Sequence, residues 1–382
     1  MEKPIRVFWY CEKWQPGGIQ AVQVNLLEHM DTRRIQFDVV TSESDTDIFD
    51  HRLEAVGVRR MVSLNGTHSG PGRRTLANIF ALRRLIREGQ YDAVHFNACH
   101  GVEMIYLFWA WLYRVPLRIA HSRNNDIGAG GKMRPVKLMC HELCKRVFGG
   151  CANVRLANSE LAAKWLYTPG RIRRGDVKLL RNGIDVNRYR FDPAVRKRVR
   201  RDLSLDGKFV LGHVGHFNYQ KNHLFLLQAF AELAKLVPNA VLLLVGAGEG
   251  EAAVHEEAAR LQIEDRVIFY GVTHDVPAMM WAMDAFALPS RFEGFGNVLI
   301  EAQAAGLRCF ASEGVIPEAA KVCDALTWVP LAAGPQGWAQ QMAQAAGKYQ
   351  REDRTQDVAR AGYTIEAMAA WLEALYKGGL PE

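Results

Sequence analysis

The 382-residue sequence lacks the long apolar run that a membrane-spanning helix requires. Such a helix needs about 20 consecutive apolar residues, and the most apolar stretch, Met104 to Tyr113, has roughly half that length. The segment Met1 to Tyr10 has no basic region followed by an apolar core and a small-residue cleavage site, and it predicts a first strand instead. We therefore expect a cytoplasmic protein that is neither secreted nor inserted in a membrane.

Cysteines are few and irregularly spaced. There are seven, an odd number without the spacing of a small disulfide scaffold, so reduced thiols are expected. Cys140, His141, Cys144 and Cys151 lie close in sequence, but a structural zinc site needs neatly paired ligands, and no second pair follows. We expect buried thiols here and no metal.

Acidic residues are scarce in the first half of the chain. Residues 1–180 contain 27 Lys and Arg against 17 Asp and Glu, whereas the whole chain has a net charge of only +7. A basic half predicts an acidic partner, which could be nucleic acid, an anionic membrane or a phosphorylated substrate. No helix-turn-helix, zinc-finger or RNP pattern accompanies the charge, so no nucleic-acid partner is expected.

Short apolar runs alternate with longer helical patterns along the whole chain. This alternation predicts parallel sheets with helices on both faces. It stops at a turn, Arg181 to Asp185, and a charged segment, and then restarts at Phe209. We predict two doubly wound α/β domains, residues 1–185 and 186–363, with a last amphipathic helix in 364–382 that returns to the first domain.

Ligands of doubly wound domains bind beyond the carboxyl ends of the strands, so two such domains facing each other would form a cleft lined by these loops. The first predicted strand is followed by Gln15-Pro-Gly-Gly, in which Gly17 and Gly18 let the backbone approach an anion at a helix start. The strand Leu117–His121 ends on His121, which can donate a hydrogen bond or transfer a proton near neutral pH.

The second domain repeats this arrangement after its first strand. The segment Val214 to His223 contains His216 and Lys221, and Lys221 can present its charge to a diphosphate. The next strand is followed by Gly246-x-Gly-x-Gly250. This pattern lacks the Gly-x-Gly-x-x-Gly spacing of dinucleotide-binding loops, so a dehydrogenase is the least favoured enzyme class.

The segment Glu293 to Gly306 is the strongest candidate for a binding site. A carboxylate precedes a Gly-x-Gly turn, and a helix is predicted to start near Asn297, its candidate N-cap, so that free amides point at the loop. Glu301 follows eight positions after Glu293. One interpretation of Glu301 is that it compensates the helix dipole, and the other is that both acids accept hydrogen bonds from hydroxyls.

These motifs together resemble the retaining glycosyltransferases of family 4. The resemblance rests on the Glu-x7-Glu spacing, the Gly-Gly loop, His121, Lys221 and the Asn182-Gly-Ile-Asp185 turn, and it covers nearly the whole chain in order. The Lys-Asn-His and Glu-Ala-Gln-Ala-x-Gly details look most similar to enzymes that build bacterial capsular and exopolysaccharides. The resemblance implies a GT-B fold, with two Rossmann-like domains facing across a cleft.

The resemblance also implies roles for individual residues. Glu293 would contact the hydroxyls of the donor sugar, Glu301 the ribose of the nucleotide, and His121 the donor sugar near the reacting carbon. Lys221, with the Gly17–Gly18 loop, would neutralise the leaving diphosphate. Sugar and diphosphate would also be bound by the backbone amides of Gly294, Phe295, Gly296, Asn297 and Val298.

The family usually has Arg where this chain has His216, so the second cation on the diphosphate is expected to be His216 itself, Arg291 or Arg123. Arg123 and Asn124 are also candidates for the acceptor side. No metal or other cofactor is expected, because Lys221 and the amides can take the electrostatic role and no candidate loop carries an Asp-x-Asp pair.

The function implied is transfer of a hexose or N-acetylhexosamine from a nucleotide diphosphate sugar, with UDP as the expected nucleotide, to a lipid-linked or saccharide acceptor. Two alternatives stay open: a nucleotide-sugar 2-epimerase, and a catalytically inactive nucleotide-sugar-binding partner. We also expect the basic N-terminal half to dock at the inner face of the cell membrane. The motives are the cluster Lys132, Arg134, Lys137, Lys145 and Arg146, the arginines at 171, 173 and 174, and the aromatic segment Met104 to Tyr113.

Overall fold

The computed structural model describes residues 3–15, 17–44, 46–64, 71–127, 133–347 and 350–379. The chain folds into two compact units. The N-terminal unit comprises Met1–Gly183 and Ile365–Glu382, and the second unit comprises Ile184–Thr364. The boundaries proposed from sequence, 185/186 and 363/364, lie within two residues of these divisions.

The N-terminal unit is built on a seven-stranded parallel sheet with the order β3-β2-β1-β4-β5-β6-β7. Its strands are β1 (Ile5–Trp14), β2 (Ile35–Ser44), β3 (Arg59–Val62), β4 (Ala93–Ala98), β5 (Leu117–Ser122), β6 (Val154–Ala157) and β7 (Lys178–Leu179). Strand β4 is buried along its whole length, as expected of a central strand covered by helices on both faces.

Eight helices cover this sheet among the described residues: α1 (Gly18–Glu28), α2 (Asp50–Ala55), α3 (Pro71–Gly89), α4 (Met104–Leu112), α5 (Arg134–Val147), α6 (Glu160–Leu166), α7 (Pro169–Arg173) and α15 (Ile365–Tyr376). The aromatic segment noted in the sequence is α4. Its inner face is buried through Tyr106, Leu107 and Ala110, while Trp111 and Leu112 are exposed.

The last helix belongs to the N-terminal unit. Its apolar stripe, which includes Ile365, Met368 and Leu372, is buried in one cluster with residues of β1 and α1. Each residue of this stripe is three or four positions from the next, which is the spacing of one helix face.

The second unit has a six-stranded sheet with the order β10-β9-β8-β11-β12-β13, and all its strand pairs are parallel. Its strands are β8 (Phe209–Val214), β9 (Ala240–Val245), β10 (Val267–Gly271), β11 (Ala285–Leu288), β12 (Arg308–Ser312) and β13 (Leu326–Val329). Its helices are α8 (Pro193–Asp202), α9 (His223–Leu236), α10 (Glu251–Arg260), α11 (Val276–Ala282), α12 (Asn297–Ala304), α13 (Gly334–Ala343) and α14 (Thr355–Arg360).

The strand orders locate the edge at which each unit can bind a ligand. The order reverses between β1 and β4 in the N-terminal unit and between β8 and β11 in the second unit. Loops that follow the strands on either side of such a reversal diverge and leave a crevice at the carboxyl ends. Among the described residues, no helix is both long enough and apolar enough to span a bilayer.

Candidate functional site

Lys221 and Glu293 meet at the switch point of the second unit. Lys221 follows β8 and Glu293 follows β11, the two neighbouring strands where the order reverses. The Lys221 Nζ lies 2.7 Å from the Glu293 Oε1, which also accepts a hydrogen bond from the Ser290 hydroxyl at 2.7 Å. Gln220 Nε2 donates to the other carboxylate oxygen at 3.0 Å. A buried carboxylate is thus held by one cation and two neutral donors.

The turn after Glu293 depends on glycine. Gly296 has φ +86°, a left-handed conformation that side chains with a Cβ rarely adopt, and it is the N-cap of α12. Asn297 is therefore the first helical residue, not the N-cap expected from sequence. Phe295 points into the core and packs on Tyr363, with ring centroids 5.2 Å apart. Because the Phe295 side chain is buried, only its backbone can contact a ligand.

Glu301 lies on α12 and forms a hydrogen bond with the Tyr189 hydroxyl. Burial raises the pKa of the Glu301 carboxyl, while the Tyr189 hydrogen bond and the charges of Arg188 and Lys221 act in the opposite direction. These surroundings differ from those of an exposed acid that only compensates the helix dipole, which was the first interpretation of Glu301. It can accept hydrogen bonds from a hydroxylated ligand.

His216, which stands where the family usually has Arg, is paired with an acid. Its Nε2 lies 2.7 Å from Glu249 Oε2, on the loop that follows β9. That loop contains the Gly-x-Gly-x-Gly pattern and packs closely against the residues around His216. A Cβ on Gly248 would lie 2.6 Å from the Phe217 carbonyl oxygen. The glycines thus serve the contact between two loops, in agreement with a strand-to-helix turn. Arg291, the other cation considered in this unit, lies over the Tyr219 ring.

The N-terminal unit places the Gly-Gly loop directly after β1. Gly17 is the N-cap of α1, and Gly18 is its first residue. The Gln20 side chain fixes this turn by donating to the Lys13 carbonyl oxygen at 2.7 Å. The amides at the start of α1 therefore lie at the carboxyl end of a central strand, where an anion can bind.

His121, the fifth residue of β5, is completely buried. Its Nδ1 lies 3.0 Å from His95 Nε2, and His95 Nδ1 lies 2.6 Å from the Tyr376 hydroxyl. Its Nε2 has no hydrogen-bond partner among the described residues. Burial lowers the pKa of His121 well below its usual range, and the charge of Arg123 and the His95 ring act in the same direction. His121 is therefore neutral at pH 7.

Arg123 and Asn124 occupy different surroundings. The Arg123 guanidinium is buried and donates to Asn97 and Asn182. Burial lowers its pKa to about 10, which still leaves it charged at neutral pH. Asn124 is half-buried and caps the next backbone amide through its side-chain oxygen. The structure thus assigns Arg123 a position inside the fold of its own unit.

Within the described part of the chain, one group of residues could hold a metal ion. Glu12, His100 and Glu103 offer ligand atoms that lie within 4.8 Å of one another. Burial and the Glu12 charge raise the pKa of Glu103. The Glu103 carboxyl therefore favours its protonated form, which is a poorer ligand for a cation than a carboxylate.

Two other metal candidates can be judged from their surroundings. His141 uses both ring nitrogens, one accepting from the Gly101 amide and the other facing the Trp165 carbonyl. It is thus not available to coordinate a metal with its neighbouring cysteines, all of which are free. An Asp-x-Asp pair, Asp45 and Asp47, does follow β2, but Asp45 lies outside the described residues.

The basic cluster expected to face a membrane is partly engaged inside the protein. Lys132 lies outside the described residues. Arg134 forms an ion pair with Asp126 at 2.9 Å, and Lys145 is buried against Glu142 and the Trp165 carbonyl. The outer face of α5 is instead apolar. The large apolar residues exposed along this helix and at its N-cap are Met133, Val136, Met139, Leu143 and Val147, each between 43% and 64% exposed.

Sequence reasoning located the cation and the acids but missed the residues that hold them. Gln220 adjoins Lys221 in sequence, and Ser290 lies three positions before Glu293, so their positions in the same loops are the available signal. Tyr189, His95 and Tyr376 carry no local motif, and only the tertiary fold brings them to Glu301 and His121.

Two doubly wound units, one with a lysine–glutamate pair at its switch point, have the architecture of the GT-B fold, and known proteins match it. The family model for glycosyltransferase family 4 matches residues 16–188, and the model for glycosyl transferases group 1 matches residues 195–343. EpsF of Bacillus subtilis is 29% identical over 377 residues, covering 97% of this chain and 96% of EpsF. Its name describes it as a glycosyltransferase. The UDP-Gal:α-D-GlcNAc-diphosphoundecaprenol α-1,3-galactosyltransferase of Escherichia coli is 27% identical over 316 residues, covering 78% of this chain and 76% of that enzyme.

Solved structures share the fold. HepE of Anabaena, in complex with UDP and glucose, superposes with a TM-score of 0.69 at 21% identity, covering 96% of this chain and 95% of HepE. A UDP-N-acetylglucosamine 2-epimerase superposes with a TM-score of 0.61 at 14% identity, covering 100% of this chain and 99% of the epimerase. At these identities the likeness concerns the fold alone, and an epimerase shares it.

The protein therefore has the GT-B fold and is a glycosyltransferase. It belongs to glycosyltransferase family 4 and resembles enzymes of exopolysaccharide synthesis.

Proposed function

We propose that the protein transfers a hexose or an N-acetylhexosamine from a UDP-sugar to a lipid-linked or saccharide acceptor in surface polysaccharide synthesis. The observation that carries this proposal is the Lys221–Glu293 pair at the switch point of the second unit. The names of two similar proteins support the choice of substrates. The Escherichia coli relative uses UDP-Gal and a diphosphoundecaprenol-linked acceptor, and HepE was solved with UDP and glucose.

The second unit supplies the groups that bind the donor in this proposal. Lys221 and the amides at the start of α12 stabilise the negative charge that grows on the diphosphate as it leaves. Glu301, whose carboxyl is held by Tyr189, accepts hydrogen bonds from the ribose hydroxyls. In the proposal His216, whose Nε2 pairs with Glu249, is the second donor-binding side chain of the loop after β8. No divalent metal is needed for this arrangement.

We propose that the anomeric configuration of the sugar is retained. The acceptor oxygen forms a bond with the anomeric carbon on the face from which the diphosphate departs, and the bond from that carbon to the phosphate oxygen breaks. The acceptor proton passes to the leaving phosphate oxygen, so no protein base is consumed. This route requires no nucleophile from Glu293, whose carboxylate oxygens already accept from three donors and keep about one acceptor position for a sugar hydroxyl.

The outer face of α5 supports a lipid-linked acceptor. The exposed residues at 133, 136, 139, 143 and 147 follow the spacing of one helix face, and we call them the α5 stripe. Lys137 and Arg146, both exposed, flank the stripe on either side by the same helical geometry. An apolar face bordered by basic residues is typical of a helix that lies in the surface of an anionic bilayer.

The free energies expected for burial of the α5 stripe and for its flanking charges suit reversible docking. Full burial of one such side chain stabilises by about 1.5–3 kcal/mol, so five half-exposed residues contribute on the order of 5 kcal/mol when a bilayer covers them. Each basic residue near an anionic surface adds about 1 kcal/mol. In the membrane proposal the main contribution therefore comes from the α5 stripe, and the basic residues named in the sequence analysis contribute less.

The activity is tested with purified protein, a panel of radiolabelled UDP-sugars, and lipid-diphosphate-linked or oligosaccharide acceptors. We expect label to move to an acceptor only when both substrates are present, with release of UDP. Epimerised nucleotide sugar formed without acceptor would support the epimerase instead. UDP-sugar binding without turnover on any acceptor, with UDP-induced thermal stabilisation intact, would support an inactive binding partner.

A further inference from the structure

Three buried side chains of the N-terminal unit form one hydrogen-bonded chain that ends at His121. The Tyr376 hydroxyl lies 2.6 Å from His95 Nδ1, and His95 Nε2 lies 3.0 Å from His121 Nδ1. Tyr376 is the last residue of α15, His95 lies within β4, and His121 lies near the end of β5. The three residues come from separate elements, so the chain exists only in the folded unit.

Neighbouring rings hold the two imidazoles in place. The His95 ring lies between the Trp9 ring, 5.1 Å away at 18°, and the His121 ring, which lies side by side with it at 5.3 Å and 14° and is joined to it by the hydrogen bond. Rotation of either imidazole about χ2 would break this hydrogen bond. Three of the four ring nitrogens in the chain therefore have a fixed partner, and the fourth, His121 Nε2, has none among the described residues.

All three groups are neutral. Burial lowers the pKa of both His95 and His121 well below the usual range, with the Arg123 charge acting in the same direction, and burial raises the pKa of Tyr376. A chain of neutral groups of this kind has two arrangements, in which every proton points either towards His121 or towards Tyr376.

Counting partners distinguishes the two arrangements. If the protons point towards His121, the phenol donates to His95 and His95 donates to His121. Only the His121 Nε2–H then stays unpaired. If they point towards Tyr376, the phenol hydrogen has no acceptor among the described residues, and the lone pair of His121 Nε2 is also unpaired. The phenol is a stronger acid than a neutral imidazole N–H and the imidazole nitrogen is a stronger acceptor than the phenol oxygen, so the first arrangement is favoured.

We propose that Tyr376 and His95 are positioning residues that fix His121 as the tautomer with its proton on Nε2, which makes it a hydrogen-bond donor to an oxygen of a sugar substrate. The part that concerns the substrate rests on the proposed function, whereas the tautomer itself does not. The arrangement assigns His121 a donor role and excludes it as the base that takes the acceptor proton, because its only accepting nitrogen is already bonded to His95.

The tautomer is measured by nitrogen-15 NMR of histidine-labelled, ligand-free protein, in which protonated and unprotonated ring nitrogens have different shifts. The His121 signals are assigned by their loss in His121→Asn. We expect a protonated Nε2 and an unprotonated Nδ1 at His121 in the wild type. The opposite pattern in the wild type would overturn the proposal without need of any further variant.

Tyr376→Phe tests the origin of this preference. It removes the phenol hydroxyl and keeps the ring that packs edge-on against Phe37. We expect His121 Nε2 to lose part of its protonated character. The matched control is Tyr167→Phe, which removes another buried hydroxyl that donates to the Ala120 carbonyl on the same strand but touches no imidazole. Identical His121 shifts in wild type and both variants would overturn the proposal.

Kinetic measurements distinguish a failure of the positioning proposal from a failure of the proposed function on which it rests. If His121 donates to substrate, Tyr376→Phe lowers kcat/KM on the order of tenfold, the cost of about one buried hydrogen bond, and Tyr167→Phe does not. A shifted tautomer with unchanged kcat/KM would overturn the donor role of His121. Absence of transfer by the wild type would count against the proposed function, while the NMR result would still decide the tautomer.

Discussion

Removal of either member of the Lys221–Glu293 pair should lower turnover far more than it lowers the free energy of unfolding. Glu293 is 5% exposed and keeps two neutral donors, Ser290 and Gln220, when Lys221 becomes alanine. Breaking a fully buried ion pair costs about 3–5 kcal/mol, and the remaining donors reduce this to roughly 1–3 kcal/mol here. A typical domain is stable by about 5–15 kcal/mol, so the variant stays folded at 25 °C.

The catalytic loss is of a different size. In the proposed mechanism Lys221→Ala removes the cation that faces the leaving diphosphate, and loss of one such electrostatic contact costs about 10²–10³ in kcat. Glu293→Ala should have a comparable effect because it removes both the proposed sugar contact and the partner that positions Lys221. The double variant should be more stable than the sum of the single effects predicts, because it leaves no unpaired buried charge.

Asp284→Asn is the matched control for this experiment. Asp284 forms ion pairs with Arg196 and Arg200 and accepts from the Val210 amide, at the amino end of the same sheet. We expect this variant to lose stability in urea unfolding while it keeps turnover within a few fold of wild type. Near-wild-type turnover in Lys221→Ala and Glu293→Ala, with unfolding midpoints no lower than that of Asp284→Asn, would refute the site.

Three further predictions concern Glu301, the metal-free mechanism and the α5 stripe. Because burial raises the pKa of Glu301 in the folded state, ionisation of this carboxyl destabilises the fold as pH rises above about 4.3, the unfolded value. Glu301→Gln should therefore gain thermal stability relative to wild type as pH rises from about 4.3 to 7.5, yet lose the rise in Tm that UDP produces; a lower Tm than wild type at pH 7.5 would contradict the sign. Transfer should survive EDTA, and activity abolished by EDTA and restored by manganese would show that the metal-free mechanism is wrong. Met139→Ser with Leu143→Ser should weaken sedimentation with anionic vesicles, whereas Leu236→Ser, an equally exposed change in the second unit, should not; equal binding by all three proteins, or equal binding to neutral vesicles, would contradict the docking proposal.

Buried central strands are the elements that the sequence predicts best. The apolar runs Val154–Ala157 and Ala240–Val245 of the sequence each predict a strand, and the two agree at both ends with β6 and β9. Short apolar runs bounded by polar or turn residues have few alternatives in a parallel sheet. The two strands that the sequence analysis does not predict, β3 and β13, are edge strands. Edge strands are half exposed and short, and β3 begins with Arg59 and Arg60, so neither shows a buried pattern.

The candidate site, too, has one part that the sequence predicts and one part that it does not. Lys221 and Glu293 could be found from sequence because each lies in a loop after a strand, and a doubly wound fold collects such loops at one edge. Their direct contact across 72 positions could not be found, since it depends on β8 and β11 being neighbours. His95 lies in the middle of a strand and Tyr376 is 281 positions away, so no spacing rule joins them to each other or to His121.

The central claim, that this protein is a retaining glycosyltransferase, is tested most directly by the anomeric configuration of its product. Purified protein is incubated with a UDP-sugar labelled with carbon-13 at the anomeric carbon and with the acceptor on which label transfer is found, and the new linkage is read by NMR. The account predicts a glycosidic bond with the configuration of the donor, formed together with UDP and absent in Lys221→Ala. A product of the opposite configuration, or an epimerised nucleotide sugar formed without acceptor, would contradict it.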